Sequence, residues 1–311
     1  MDIQLIKKVT SALKKMQYNF SDKIKLTQLK GGITNKIFLI EFSDNKFIIR
    51  KCGNNTERFI NRELEYKIIK QLNTFDITRK LLQKFEQGSI ESFLEGSSLK
   101  IDHFRDPYIL SILGRKFFDL HSINILEQHE RQPMMWKKID TWYNQCIELY
   151  KDDPINLPII NKIGDLISEK KIIQVESPVI LCHNDLTPAN IIYNNSDIKF
   201  IDFEYSAYNY RGFDIANMFC EYSGYDCNWS LLPTEQERKL FYKFYLNTND
   251  KNRINNLDKE VLFFIPISHL FWSLWGLLQH KYSNIDYDYL QYTHKRLEGA
   301  KLSDNSIRRR L

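Results

Sequence analysis

The 311-residue chain is poor in the residues that build stapled or fibrous proteins, with five cysteines, eight prolines and eleven glycines. Cys52, Cys146, Cys182, Cys220 and Cys227 are an odd number without a C-x-x-C pair, so they suggest neither a disulfide framework nor a zinc site. A reducing compartment is expected. Charge of one sign is also scarce: 44 Lys plus Arg against 39 Asp plus Glu leave a net +5, too small a surplus over this length to argue for a nucleic-acid partner. Small anionic substrates stay open. The amino end, Met1 to Lys8, carries charge where a secretory leader would need an apolar run, so the expected location is the cytoplasm. There is no internal repeat, and the one biased segment, Ser306 to Leu311, reads as a solvated basic terminus.

What is present is the balance of a globular protein, 43% apolar and 27% charged, at a length of about two domains. Val261 to Gln279 has no Asp, Glu, Lys or Arg over 19 residues, long enough to span a bilayer. Pro266, Ser268, His269, Ser273 and Gln279 interrupt it, and its tryptophans sit in the middle rather than at the ends where aromatic belts form. A buried helix is expected, and no transmembrane segment.

Periodicity divides the chain. Residues 2–19 place Ile3, Ile6, Val9, Leu13 and Met16 at helical steps. The period then changes to two over Lys36–Phe42 and Lys46–Arg50, a hairpin around Ser43-Asp44-Asn45. A helix is expected over Thr56–Leu72 and a short strand between Gly88 and Gly96. Beyond Gly96 the runs are helical over Pro107–His121, Trp136–Lys151 and Ile159–Lys170, until strand-like Pro178–Cys182 and Ile198–Asp202 intervene. A strand-rich first third before a helix-rich remainder predicts an α+β protein of two lobes, residues 1–94 and 95–311.

The chemistry concentrates in His183-Asn184-Asp185-Leu186-Thr187-Pro188-Ala189-Asn190 and Ile201-Asp202-Phe203-Glu204. Phosphoryl transfer needs a carboxylate for the attacking hydroxyl and oxygen ligands for magnesium from an acid and an amide. Asp185, Asn190 and Asp202 supply that set at the D-x-x-x-x-N spacing of a kinase catalytic loop, with Asp-Phe-Glu in the place of D-F-G. The bland alternative makes both aspartates turn residues, which leaves Asn190 and the flanking strands unexplained. Upstream, Gly31, Gly32, Ile33, Thr34 and Asn35 before the hairpin form a candidate phosphate-approaching loop. Arg50 stands at the place of the strand lysine that holds ATP phosphates; Glu65 would orient it, with Glu63 as competitor. The backbones of Ser92 and Leu94 are candidates for the adenine edge.

Together these segments, with Asn209-Tyr210-Arg211-Gly212-Phe213-Asp214-Ile215-Ala216-Asn217, Phe219-Cys220-Glu221 and Ser268-His269-x-x-Trp272-x-x-Trp275, resemble the choline/ethanolamine kinases nearly end to end. The resemblance implies a bilobal protein-kinase-like fold, ATP and Mg2+ as cofactors, and choline or ethanolamine as substrate. It makes Asp185 the base, Asn190 and Asp202 the metal ligands, and Glu204 and Glu221 acids near the alcohol. Members of the family are commonly homodimers, although no residue here marks an interface. Met218 stands where many members have His and Arg79 where many have Pro, neither expected to touch the chemistry.

The alcohol site has an independent argument, since a quaternary ammonium donates no hydrogen bond and is met by aromatic faces. Trp272 and Trp275 share one helix face and Tyr289 and Tyr292 another, a pattern that without the kinase motif core packing explains better than a cage. The resemblance places the pocket at these residues, with Tyr225 as a further wall. Choline is expected to be favoured over ethanolamine. The rivals are an ethanolamine-preferring kinase, a kinase of another aminoalcohol or an aminoglycoside, and an inactive nucleotide- or choline-binding protein.

Overall fold

The computed structural model describes residues 3–18, 24–29, 35–53, 56–85, 88–127, 129 and 131–308. It separates into two compact units, Met1–Gly96 and Ser97–Leu311. The first unit opens with helix α1 (Ile3–Lys15), shorter than its apolar period suggested. Five strands follow in the antiparallel order β1-β2-β3-β5-β4: β1 (Lys25–Gln28), β2 (Asn35–Phe42), β3 (Asn45–Cys52), β4 (Leu81–Phe85) and β5 (Gly88–Ser92). The expected hairpin is β2–β3, with Phe42 opposite Asn45 across Ser43 and Asp44. Val9, Ala12 and Leu13 of α1 cover Ile40, Phe42, Phe47, Ile49 and Ile90 on one sheet face.

Strand β3 is buried through Phe47, Ile48, Ile49 and Arg50 without alternation, so both faces are covered. By the two-residue period Arg50 shares the face opposite Phe47 and Ile49. There it meets α2 (Arg62–Leu72). The helix expected from Thr56 is a 3-10 turn over Thr56–Arg58 and then α2, because the Asn61 side chain accepts from Leu64 N at 3.1 Å and restarts the helix.

The second unit begins with β6 (Ser97–Ser98) and α3 (Pro107–His121), the latter capped by Asp106 with Pro107 in its first turn. Helices α4 (Met135–Leu149) and α5 (Leu157–Ile172) lead to β7 (Val179–Cys182), β8 (Ile191–Tyr193), β9 (Ile198–Phe200) and β10 (Ala207–Tyr210). β7 pairs with β10, and β6, β8 and β9 form a three-stranded sheet. Helices α6 (Arg211–Cys220), α7 (Glu235–Tyr245), α8 (Lys251–Tyr282) and α9 (Tyr289–Arg308) complete the unit.

Helix α8 contains the uncharged stretch and packs against α9, α6, α4, α7 and α5. It is long and apolar enough to cross a membrane by length and composition, but 89% of its apolar window is buried inside the protein, as expected of a core helix.

Candidate active site

Asp185 lies on the loop that leaves β7, and that loop is held by main-chain hydrogen bonds to one buried acid. Asp214, near the start of α6, accepts from His183 N at 2.8 Å, from Asn184 N at 2.7 Å and from His121 Nε2 at 3.0 Å. His121, Cys182 and Asp214 crowd together as metal ligands do, yet Asp214 is already satisfied by these donors. The cluster is a structural clamp.

Asn184 adopts a left-handed backbone, φ 64°, a conformation that asparagine tolerates better than most residues. Its amide donates to Tyr205 O at 3.0 Å and accepts from Asn209 Nδ2 at 2.8 Å, while its carbonyl accepts from Asn217 Nδ2 at 3.2 Å. The His183 ring is assigned from its bonds: Nδ1 accepts from Asp185 N at 3.3 Å, so Nε2–H donates to Ile201 O at 2.9 Å. Burial holds this imidazole below the usual histidine range, and a neutral ring joins the Asp185 loop to the residue before Asp202.

The three residues of the acid–amide–acid pattern are brought together by this scaffold. Asn190 Nδ2 donates to Asp185 O at 2.8 Å, which leaves the Asn190 amide oxygen as an acceptor for a cation. Asp202 follows β9 with φ 65°, a strained conformation of the kind that collects at functional sites. The Asp185 carboxyl is pushed well above the ordinary aspartate range, first by burial and then by the charges of Glu221, Asp202 and Glu204, with Arg296 opposing. Excess negative charge with carboxylate and amide oxygens is the donor chemistry of a hard divalent cation. The residues therefore fit magnesium.

The expected aromatics of α8 and α9 form one cluster. Trp272 and Trp275 rings lie 5.5 Å apart edge to face, and Trp275 lies 5.7 Å from Tyr289 and 5.8 Å from Tyr292. Their polar ends are committed: Trp272 Nε1 donates to Asn217 Oδ1 at 2.6 Å, Trp275 Nε1 to Tyr205 OH at 2.8 Å, and Arg296 Nε to Tyr292 OH at 2.9 Å. Tyr205 joins the wall, its ring 5.3 Å from Trp272. Glu204 is buried, and its charge reaches Lys138 of α4, whose amine burial lowers to about 8 and Glu204 partly restores. Glu221 accepts from Arg296 Nη2 at 2.5 Å. Tyr225 is 63% exposed as a residue. Its phenol is nonetheless pushed up to about 12 by desolvation and then by the charges of Asp185, Glu221 and Asp202.

In the first unit, Arg50 is 4% exposed and ion-paired with Glu65, and its Nε donates to Glu91 Oε1 at 3.2 Å. Glu65 also accepts from Arg62 Nη1 at 2.9 Å. Glu63 instead faces Lys84 at the surface, 2.7 Å away. Arg79, thought remote from the chemistry, has Nε 3.7 Å from Glu91 and so stands one residue away from Arg50. The other departure, Met218, is fully buried in α6. Ser92 N–H donates to Lys80 O at 2.9 Å, so that donor is not available to a base edge. Leu94 lies past the end of β5. Gly31, Gly32, Ile33 and Thr34 fall outside the described residues, and Asn35 begins β2.

Sequence reasoning missed Asp214, Glu91, Tyr205, Lys138 and Arg296. Asp214 lies within a family-like segment and Tyr205 directly follows one, but their roles depend on partners distant in sequence.

An acid and an amide on the segment between β7 and β8, with a second acid after β9, define a kinase-like phosphotransferase. The chain belongs to the choline/ethanolamine kinase family, whose pattern it matches over residues 26–301. It is 34% identical over 284 residues to a probable ethanolamine kinase of Arabidopsis thaliana, covering 85% of this chain and 75% of that one. An ethanolamine kinase of Plasmodium vivax superposes with a TM-score of 0.86 at 32% identity, covering 93% of this chain and 85% of that one. A choline kinase of Cryptosporidium parvum shares the fold, with a TM-score of 0.84 at 22% identity over 99% of this chain and 97% of that one. The fold is protein-kinase-like, and the enzyme is a transferase of phospholipid biosynthesis.

Proposed function

We propose that the protein transfers the γ-phosphoryl group of ATP to the hydroxyl of ethanolamine, with choline as a weaker acceptor. The carrying observation is a pair of acids beside the aromatic wall: buried Glu204 adjoins Tyr205, whose hydroxyl accepts from Trp275, and Glu221 is joined through Arg296 to Tyr292. A primary ammonium has three N–H donors and loses strong hydration on binding, so it needs hydrogen-bond acceptors of this kind; a trimethylammonium is drawn to them by charge alone. The two ethanolamine kinases described above support the same acceptor. This reading departs from the choline preference expected from Trp272 and Trp275. Choline remains the second reading because the aromatic wall of Trp272, Trp275, Tyr289 and Tyr292 also suits a soft cation.

In this mechanism Asp185 orients the alcohol and takes its proton as the oxygen attacks phosphorus, with ADP leaving. Asn190 and Asp202 would hold magnesium, which supplies neutralisation of charge on the transferring phosphoryl. Glu204, Glu221 and Tyr225 line the amine end. In the first unit, Gly31 to Asn35, Arg50 oriented by Glu65, and the main chain at Ser92 and Leu94 would serve ATP. Cytoplasmic placement and a homodimer are proposed on the resemblance, the former also in keeping with a buried α8.

The test is ADP release at saturating ATP with ethanolamine, its N-methylated derivatives and choline. The expected order of kcat/KM falls with each added methyl. A rise with methylation would establish choline as the acceptor, and no ADP release with any of them would sink the reading.

A further inference from the structure

Arg296 is a cation that the proposed chemistry does not use, and it lies at the edge of the acceptor site. It projects from α9, is 3% exposed, and contacts four groups from four segments. Nη2 donates to Glu221 Oε1 at 2.5 Å, Nε to Tyr292 OH at 2.9 Å, and Nη1 lies 3.5 Å from His269 Nδ1. Its guanidinium carbon stands 5.8 Å from the Trp229 ring centroid and 5.1 Å from that of Tyr292. The His269 ring is kept well below the ordinary histidine range by burial and by this cation, so it remains neutral and accepts at Nδ1.

A buried charge is tolerated only when paired and hydrogen-bonded, and a planar fork can satisfy several acceptors at once in fixed directions. Here two of those acceptors are residues of the acceptor pocket. Glu221 Oε1 is occupied by the Arg296 fork, which fixes one end of the carboxylate. The Tyr292 phenol is tied one helical turn from its own backbone, which fixes the ring that packs 5.8 Å from Trp275.

We propose that Arg296 is a positioning residue for the aminoalcohol: it sets the direction of the Glu221 carboxylate and of the Tyr292 ring together, and so determines how tightly the amine end is held. This rests on the reading of the pocket as the acceptor site. No part of the inference requires Arg296 to touch substrate.

The experiment compares Arg296→Met and Arg296→Lys with Arg238→Met in the full chain. Arg238 is a similarly buried arginine, 6% exposed and paired with Asp258 at 2.7 Å, and serves as the control for simple loss of a buried ion pair. Both Arg296 variants should raise KM for ethanolamine by about tenfold or more with KM for ATP within about twofold, a loss of positioned binding and not of the nucleotide site. Lysine should not rescue, because a point charge cannot reproduce the fork. Combined with Glu221→Gln, Arg296→Met should be less than additive in kcat/KM for ethanolamine.

Should Arg296→Met fail to fold, Tyr292→Phe removes only the hydroxyl that Arg296 Nε reaches and should still raise KM for ethanolamine alone. Unchanged KM in the folded variants, parallel losses for both substrates as with Arg238→Met, or full additivity with Glu221→Gln would each overturn the assignment. Wild-type protein inactive on every aminoalcohol would instead overturn the acceptor reading, a distinguishable outcome.

Discussion

Arg50 is held between two acids, one on α2 and one on β5, and that arrangement predicts an asymmetry. Removing Glu65 leaves Arg50 with Glu91, whereas removing Arg50 leaves both acids without it. Arg50→Ala should therefore cost more in kcat/KM for ATP than Glu65→Ala, and the double variant should be far less than additive. A Glu63→Ala cycle with Arg50 should show no coupling, because Glu63 pairs with Lys84 at the surface; coupling equal to that of Glu65 would reverse the assignment. At Asp185, replacement by Asn should lower kcat by the ~10²- to 10⁴-fold typical of a lost general base. ATP should still bind to it. Asp202→Asn should mainly weaken nucleotide binding in titrations with magnesium, and near-normal turnover of the Asp185 variant would remove it from the mechanism.

At the scale of elements, α8 and α9 approach closely at Gly276. A Cβ there would collide with Thr293 Oγ1 and come within 3.1 Å of Tyr292 Cδ1 and 3.2 Å of the Tyr289 carbonyl. Since one of these is main chain, Gly276→Ala must push α9 outward, at the roughly 1–3 kcal/mol typical of an overpacked core. Because Tyr289 and Tyr292 move with α9, thermal melts should show a lower Tm and kinetics a raised KM for the aminoalcohol with KM for ATP unchanged. A destabilised variant with normal aminoalcohol KM would show that the aromatic wall does not bind substrate.

Elements with strong local signals were legible in the sequence. Pro107–His121 carried an apolar helical period behind an Asp-Pro start, and the β2–β3 hairpin alternated around a polar turn. Strands β1 and β4 were not, for Lys25–Gln28 has one apolar residue and is largely exposed, and its pairing to β2 is what makes it a strand. The same reason hid Glu91. In the β3–β5 register Arg50 faces Ser89, so Glu91 two residues on shares its face, but that register is a tertiary fact. Local patterning singled out Asp185, Asn190 and Asp202 as candidates; Asp214 and Arg296 contact residues 31 and 75 positions away and had no local signal.

For the whole molecule, buried titratable groups pull stability in opposite directions as pH falls. His269 is neutral in the fold, its imidazole well below the ordinary value of 6.5 because of burial and Arg296. Above that value neither state carries the proton, and the contribution to stability is complete. Below it the unfolded chain binds a proton that the folded chain refuses, so stability is lost as pH falls from about 6.5 toward the folded value, by at most about 1.4 kcal/mol per pH unit. Asp185 has the reverse sign: its folded value lies above the ordinary 3.8, so the folded state binds the proton first and acidification between the two values favours the fold. A single melting profile mixes the two. The difference between wild type and His269→Gln isolates the histidine, since Asp185 is common to both. From pH 7.5 to 5.0 the wild-type Tm should fall more steeply than that of His269→Gln, even if the variant starts lower through lost packing against Trp229, 4.6 Å away. Parallel profiles over that range would mean that His269 accepts its proton in the folded state, and that the buried contact with Arg296 yields to it.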